Sequence, residues 1–172
     1  MNNILLRKVR EDDTKERELF EELYLNFGNS LFSLLDDSSD GRELEEILYE
    51  YGFINESTQE EIAKFDEQCI KELKTHISKT YFVIFNDKVV GYITADLGGT
   101  RSVMTIIDIG FVGCFLPTNE EISDVIDLAV KQFRKIKIAR IMNTGNQRTI
   151  ARLKAIGFHE LKCCLEKKIG GG

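Results

Sequence analysis

The stretch NTGNQRTIARLKAIGF, residues 143–158, determines how the second half of the chain is interpreted. It follows a short apolar run at residues 138–142, whose length and composition predict a β-strand. The polar start of the stretch predicts a turn, after which apolar side chains recur at helical spacing at Ile150, Leu153 and Ile156. Gly157 comes next, and glycine commonly follows a helix because it adopts a positive φ without a Cβ clash. We therefore predict a strand, a turn and a short helix in this order.

Further strands are predicted on both sides of this unit. The alternating residues 158–166 predict one strand after the helix. Upstream, residues 81–85 and 88–95 flank the two-residue polar turn Asn86-Asp87, which predicts a β-hairpin. Residues 103–112 form the most apolar run of the chain. That run leaves no polar face for solvent and predicts a strand at the centre of the sheet.

The N-terminal part of the chain predicts one strand and several helices. Residues 4–10 predict the first strand, and Asp13 with Glu16 forms a loose capping pair at the start of a helix. Residues 29–80 predict a helical insertion in which acids greatly outnumber bases. A solvated helical surface is the simpler interpretation of these acids, and a charged acceptor-substrate site is the alternative.

The closing segment resembles that of the GNAT (Gcn5-related N-acetyltransferase) superfamily, whose usual pattern is V-N-x-x-N-x-x-A-I-x-x-Y-x-K-x-G-F. The residues in register with this pattern are Asn143, Asn146, Ile150, Gly157 and Phe158. The chain departs from it at Thr149, in the alanine position, and at Leu153, in the tyrosine position. Residues 107–112, IDIGFV, are similar to the E-I-G-Y-w segment of the same superfamily.

The resemblance implies an α/β (α+β) fold of the GNAT type. Its central sheet would be mixed but mainly antiparallel, with helices on both faces. Residues 1–168 would form one domain, and the acidic helical insertion near the N-terminus would be an addition to the common fold. The glycine-rich residues 169–172 are expected to form a flexible tail.

The resemblance also implies a site for acetyl-CoA between the two central strands. In the superfamily, the central strand separates from its neighbour, and its exposed backbone groups hydrogen-bond the pantetheine arm like an added strand. The implied cofactor-binding residues of this chain are Phe111, Val112, Gly113, Cys114, Asn143 and Asn146. Asp108 takes the position of the acid that serves as general base. The alternative for Asp108 is a structural acid bound to neighbouring backbone or to an arginine.

The expected pyrophosphate-binding loop is altered. The superfamily pattern R/Q-x-x-G-x-G/A is replaced here by residues 116–124, LPTNEEISD, with neither glycine nor cation. Thr118 and Glu121 form a capping box instead, and four acids here would repel a pyrophosphate: Glu120, Glu121, Asp124 and Asp127. We therefore expect weak binding of acetyl-CoA. An arginine or lysine that reaches the pyrophosphate position from another part of the chain would favour an enzyme. Glu120 or Glu121 occupying that position would favour a binding module.

Composition and charge limit the classes of binding partner and the cellular compartment expected for this protein. The net charge of −6 disfavours nucleic acid, which is bound through basic residues, and a charged N-terminus argues against a signal peptide or membrane span. The four cysteines, Cys69, Cys114, Cys163 and Cys164, lack metal-ligand spacing. We expect no metal and reduced thiols in the cytoplasm rather than a disulfide framework, with Cys163 and Cys164 on opposite faces of a strand.

The sequence suggests two classes of function and disfavours a third. The leading prediction, implied by the resemblance, is an acyl-CoA-dependent N-acetyltransferase acting on a small-molecule or peptide amine. The alternative is a non-catalytic module of the same fold that binds a partner or another ligand in the same cleft. A nucleic-acid-binding regulator is disfavoured by the charge, and the sequence leaves open whether the protein is a homodimer.

Overall fold

A computed structural model of the protein describes residues 3–25, 67, 71, 73–97, 101–112, 115, 117–142 and 147–170. Seven strands lie in these ranges: β1 (Ile4–Lys8), β2 (Thr80–Phe85), β3 (Lys88–Leu97), β4 (Val103–Phe111), β5 (Ile138–Met142), β6 (His159–Glu160) and β7 (Cys164–Lys168). The helices are α1 (Thr14–Leu25), α2 (Asn119–Lys131) and α3 (Gln147–Ala155), and a 3-10 turn, Ile77–Lys79, follows the helical residues 73–76. None of these helices is long and apolar enough to cross a membrane.

The seven strands form one sheet in the order β1-β2-β3-β4-β5-β7-β6. The pair β4 and β5 is parallel, and the other neighbouring strands of the described sheet are antiparallel. The prediction of a mixed, mainly antiparallel sheet is therefore confirmed. The predicted central position of the apolar strand is also confirmed, because β4 has three strands on each side.

Two apolar clusters cover opposite faces of the sheet, because successive side chains of a strand alternate between faces. On β3, Tyr92 belongs to one cluster and Ile93 to the other. Helix α1 contributes Phe20 to the Tyr92 cluster, and the segment before β2 contributes Leu73 and Ile77. The Ile93 cluster is covered by α2 and α3 through Ile122, Val125, Ile126, Ala129, Ile150 and Leu153. Helices thus lie on both faces, as predicted.

The predicted hairpin and the predicted helix stop are both confirmed. Asn86 and Asp87 join β2 to β3 with φ values of 49° and 64°, the left-handed conformation that two-residue hairpin turns require. Gly157 ends the last helix with φ of 102°, and the N–H of Phe158 donates to the carbonyl of Leu153 at 3.0 Å. The residue types at both turns match their backbone geometry, which explains why the sequence alone located them.

The prediction of one strand over residues 158–166 is wrong. The chain reverses within this range, so β6 and β7 pair with each other in an antiparallel ladder, with His159 opposite Glu166. The N–H of Leu161 donates to the carbonyl of Cys164 at 2.8 Å and closes this turn. Alternation continues through the reversal, so the pattern alone could not reveal it. Cys163 is exposed in this turn and Cys164 is buried at the start of β7, so the two do not lie on opposite faces of one strand as predicted; both are free thiols.

The start of α1 differs in part from the predicted capping pair. Asp13 caps the helix, since its Oδ1 accepts the backbone N–H groups of Lys15 and Glu16. The Glu16 side chain does not complete the pair. It is buried and bound by two arginines, Arg7 and Arg10, at and just beyond the end of β1. This cluster ties the first strand to the first helix.

Several predictions concern residues outside the described ranges. The bulk of the acidic insertion 29–80 is among them, as are four predicted cofactor-binding residues: Gly113, Cys114, Asn143 and Asn146. The last two glycines of the predicted tail and two cysteines, Cys69 and Cys114, also lie outside.

Candidate functional site

The parallel strands β4 and β5 stop pairing halfway along β4. Their last pair is Ile106 with Ile141, and β5 ends one residue later at Met142, whereas β4 continues to Phe111. Over this extension β4 stays paired with β3 on its other side. From residue 107 onward, the β5-facing edge of β4 therefore has no strand partner among the described residues. We call this edge, residues 107–111, the open edge.

Backbone groups of β4 point into the opening. The N–H of Val112 donates to the carbonyl of Val90 at 2.7 Å, so it faces β3. Because backbone groups alternate in direction along an antiparallel strand, the N–H and C=O of Phe111 face the open edge. The N–H of Ile109 has the same direction and donates to Oδ1 of Asp108 at 2.9 Å. An extended ligand with amide groups can hydrogen-bond to such an edge as a further strand does.

A β-bulge lies where the opening begins. The β3–β4 register passes from Thr94 opposite Asp108 to Ala95 opposite Ile106, so Ile107 is an extra residue. Ile107 is 37% exposed, and Met142, the last residue of β5, is 57% exposed. The prediction that this strand has no solvent-exposed face is therefore wrong at Ile107. The bulge interrupts the alternation and β5 ends beside it, so no described element covers this side chain.

Asp108 lies directly after the bulge, and each of its carboxylate oxygens accepts a hydrogen bond. The Tyr92 hydroxyl donates to Oδ2 at 2.5 Å, and the backbone N–H of Ile109 donates to Oδ1. An acid in so apolar a strand is costly to bury without partners, and both carboxylate oxygens of Asp108 have one. Tyr92 is buried, which raises its pKa well above the ordinary value of 10.0, and the negative charge of Asp108 raises it further. Tyr92 therefore keeps its proton at neutral pH and acts as a donor.

Two glycines shape the β3–β4 pairing beside Asp108, and one of them leaves room for the contact with Tyr92. Tyr92 is directly opposite Gly110, which has no side chain, and Asp108 is its diagonal neighbour on the same face. Strands β3 and β4 also approach closely here. A Cβ added to Gly91 would lie 2.2 Å from the carbonyl oxygen of Gly110, closer than real Cβ atoms come. Glycine at position 91 is thus required by packing.

The N-terminus of α2 follows β4 and takes the place of the expected pyrophosphate loop. The capping box is present: Thr118 Oγ1 accepts the N–H of Glu121 at 3.1 Å, and Glu121 Oε1 accepts the N–H of Thr118 at 3.2 Å. Arg152 of α3 reaches this turn and donates to Asn119 Oδ1 and to the carbonyl of Pro117, both at 2.7 Å. A cation and an acid therefore occupy the same turn, the two features that sequence reasoning treated as alternatives.

The structure brings three of the predicted site residues together. Asp108, Phe111 and Val112 lie at or beside the open edge of β4. Leu153, in the tyrosine position of the superfamily pattern, is buried in the core and cannot donate a proton.

Sequence reasoning missed Tyr92 and Arg152. Tyr92 could have been found from the hairpin register and the diagonal-neighbour rule. No local pattern signals the contact of Arg152, because its partners are more than thirty residues away along the chain.

Several known structures of similar fold are acetyltransferases. An aminoglycoside 6'-acetyltransferase of type Ii superposes with a TM-score of 0.60 at 10% identity, over 98% of this chain and 99% of that one. The PaiA N-acetyltransferase from Thermoplasma acidophilum, solved with coenzyme A, gives 0.58 at 14% identity, over 96% and 99%. The N-acetylglutamate synthase from Neisseria gonorrhoeae, complexed with coenzyme A and N-acetyl-glutamate, gives 0.53 at 13%; 98% of this chain aligns with only 35% of that one.

No protein-family model matches the sequence, and no curated protein is similar enough in sequence to match. Identities this low establish the fold alone. The chain has the fold of the GNAT acetyltransferases, with the sheet opening between β4 and β5. The fold implied by the sequence resemblance is thereby confirmed.

Proposed function

We propose that the protein transfers an acyl group from an acyl-CoA thioester, acetyl-CoA in the first instance, to a small-molecule or peptide amine. The observation that carries this proposal is the open edge of β4, with the Asp108 carboxylate at the point where the edge begins. The edge offers the backbone N–H and C=O of Phe111 to an amide-containing chain. Structural neighbours solved with coenzyme A support the same interpretation.

The pantetheine arm fits the open edge because it carries amide groups and is extended. Phe111 would hold it here through its backbone groups, whereas the N–H of the adjacent Val112 is already bound to Val90. Asn143 and Asn146 are proposed to contact the arm from the β5 side. An acyl thioester supplies an electrophilic carbonyl carbon and a thiolate that can leave. The Asp108 carboxylate would accept the proton that the amine loses as its nitrogen bonds to that carbon. Tyr92, which stays protonated, would hold Oδ2 of Asp108 in place.

Transfer should be measured by thiol release from acetyl-CoA over a panel of small amines and peptide N-termini. We expect turnover of at least one amine, with acetyl-CoA bound more weakly than about 100 μM, or roughly −5.5 kcal/mol. Asp108→Asn preserves the shape and removes the base, so the rate should fall about 100-fold. Asp96→Asn is the matched control, because Asp96 lies on the neighbouring strand and pairs with Lys79. Absence of turnover in the parent protein, or an Asp108→Asn variant as active as the parent, would contradict the proposal.

A non-catalytic binding module is the second candidate, and two observations favour it. Both oxygens of Asp108 already accept hydrogen bonds, which is typical of a structural acid. The first turn of α2 is capped by its own residues instead of being left open for a phosphate. In a module, Asp108→Asn would lower the free energy of unfolding by about 1–3 kcal/mol with no catalysis to lose. Measuring both turnover and the urea midpoint of this variant separates the two candidates.

A further inference from the structure

An acyl-CoA molecule consists of a pantetheine arm and an ADP end. The open edge of β4 fits the arm, whereas the first turn of α2 does not fit the ADP end. The edge offers unpaired backbone groups to the pantetheine arm, as described above. The ADP end of such a ligand carries a pyrophosphate, and an N-terminal helix turn binds phosphate through free N–H groups and a favourable charge. The first turn of α2 is poorly suited to a pyrophosphate on both counts, each for a specific reason.

Several backbone donors of this turn are already in use. The N–H of Glu121 donates to the Thr118 side chain, and the N–H of Ile122 donates to the Thr118 carbonyl at 3.0 Å. The N–H of Thr118 itself donates to the Glu121 carboxylate. A phosphate could bind these groups only by breaking the capping box, which contributes about 1 kcal/mol to helix stability.

The charge of the turn is also unfavourable to a pyrophosphate. Glu120, Glu121 and Asp124 lie in the first two turns of α2, and Arg152 is the basic residue that contacts this turn among the described residues. Two guanidinium nitrogens of Arg152, Nε and Nη2, are bound to Asn119 and to Pro117. Arg152 therefore links the turn to α3, and its single positive charge is outnumbered by these three acids of α2. Two like charges 4 Å apart repel by about 1 kcal/mol in water, and more where water is excluded.

From these observations we propose that the physiological donor is an acyl-pantetheine thioester without an ADP group, either free or attached to a carrier protein. This inference rests on the proposed acyl transfer and changes its donor from acyl-CoA to a thioester of the pantetheine part alone. The protein recognises the pantetheine arm along β4 and gains nothing from the nucleotide that acetyl-CoA adds.

The test compares S-acetyl-pantetheine with acetyl-CoA by calorimetry and by thiol release. We expect S-acetyl-pantetheine to bind within about threefold of acetyl-CoA, because the first turn of α2, among the described residues, offers the nucleotide no net favourable contact. Turnover with free S-acetyl-pantetheine and with an acetylated phosphopantetheinyl carrier protein then identifies which source is used.

A charge-neutral variant adds an independent measurement. Glutamine also completes a capping box, so Glu120→Gln combined with Glu121→Gln removes two charges while preserving the cap. This double variant should bind acetyl-CoA at least threefold more tightly than the parent and should bind S-acetyl-pantetheine equally well. Asp127→Asn is the control, because Asp127 is exposed on the same helix roughly 10 Å further along. At this distance salt screens most of the repulsion, so this control should change the acetyl-CoA affinity less than the double variant does and leave the S-acetyl-pantetheine affinity unchanged.

Three outcomes are distinguishable. Equal binding of the two donors, with a gain for acetyl-CoA alone in the double variant, supports the inference. If acetyl-CoA binds more than threefold tighter than S-acetyl-pantetheine, or the double variant leaves its affinity unchanged, the inference is overturned while acyl transfer stands. If neither donor binds and no amine is acylated, the proposed function fails and this inference fails with it.

Discussion

The contact between Tyr92 and Asp108 can be tested by removing one oxygen atom. Tyr92→Phe preserves the ring, which packs edge-on against Phe20 at 5.3 Å between centroids, and deletes the hydroxyl bound to Oδ2. Hydrogen bonds to a charged group contribute about 1.5–3 kcal/mol. Asp108 is only partly buried, so water can replace part of the lost bond. We therefore expect a loss of about 1.5–2 kcal/mol, the lower part of that range.

The assay is urea unfolding at pH 7, and the coupling is isolated by a double-mutant cycle with Asp108→Asn. Since the two side chains are in direct contact, the cycle should give a coupling energy of about 1–2 kcal/mol. Tyr81→Phe on β2 provides the control, because this tyrosine is only partly buried and packs against the opposite face of the sheet. Its loss should stay below about 0.5 kcal/mol.

The reasoning is refuted if the coupling energy is below about 0.3 kcal/mol, the value expected of independent sites. It is also refuted if Tyr92→Phe costs no more than the Tyr81→Phe control. In either case the hydroxyl would not hold the carboxylate, and the placement of Asp108 at the open edge would lack its support from β3.

Three further predictions concern stability. Burial alone would raise the pKa of Glu16, but hydrogen bonds from Arg10 and Arg7 outweigh it and lower the pKa below its ordinary value of 4.5. The resulting stabilisation should be complete above pH 4.5 and should be lost as the pH falls through the lowered pKa. Glu16→Gln should remove this pH dependence and cost about 1–2 kcal/mol at pH 7. Urea midpoints measured from pH 7 to 3 check both expectations. Gly91→Ala should cost about 1–3 kcal/mol because its Cβ would meet the Gly110 carbonyl, and an unchanged melting temperature would contradict that close approach. Thr118→Ala should cost about 1 kcal/mol by removing the cap of α2, while Thr118→Ser should be nearly neutral in the same melting assay.

Local residue chemistry explains which parts of the fold the sequence revealed. The turn at Asn86-Asp87, the stop at Gly157 and the capping box at Thr118 each depend on residues adjacent in the chain, and all three are observed. The reversal between β6 and β7 was missed because hydrophobic alternation continues through the turn. Periodicity reports which face a residue occupies and not whether the strand continues.

The candidate site depends on contacts between distant segments, and its prediction was accordingly less complete. Asp108 was recognised from its strand and its resemblance to a known motif, but its partner Tyr92 required the β3–β4 register. The bulge that exposes Ile107 has no signal in so apolar a run. Arg152 reaches α2 only because α3 packs beside it, so the cation that the loop lacks in sequence is supplied by tertiary structure.

The backbone amide of Phe111 reports most directly on whether the open edge of β4 is the donor site. In an NMR titration with acetyl-CoA or S-acetyl-pantetheine at millimolar concentration, its resonance should shift and its hydrogen exchange should slow, because the amide gains a hydrogen-bond acceptor. The amide of Val112, already bound to the Val90 carbonyl, is the internal control and should keep its exchange rate. If ligand binds or is turned over while the Phe111 amide is unaffected, the open edge is not the donor site and the account is contradicted.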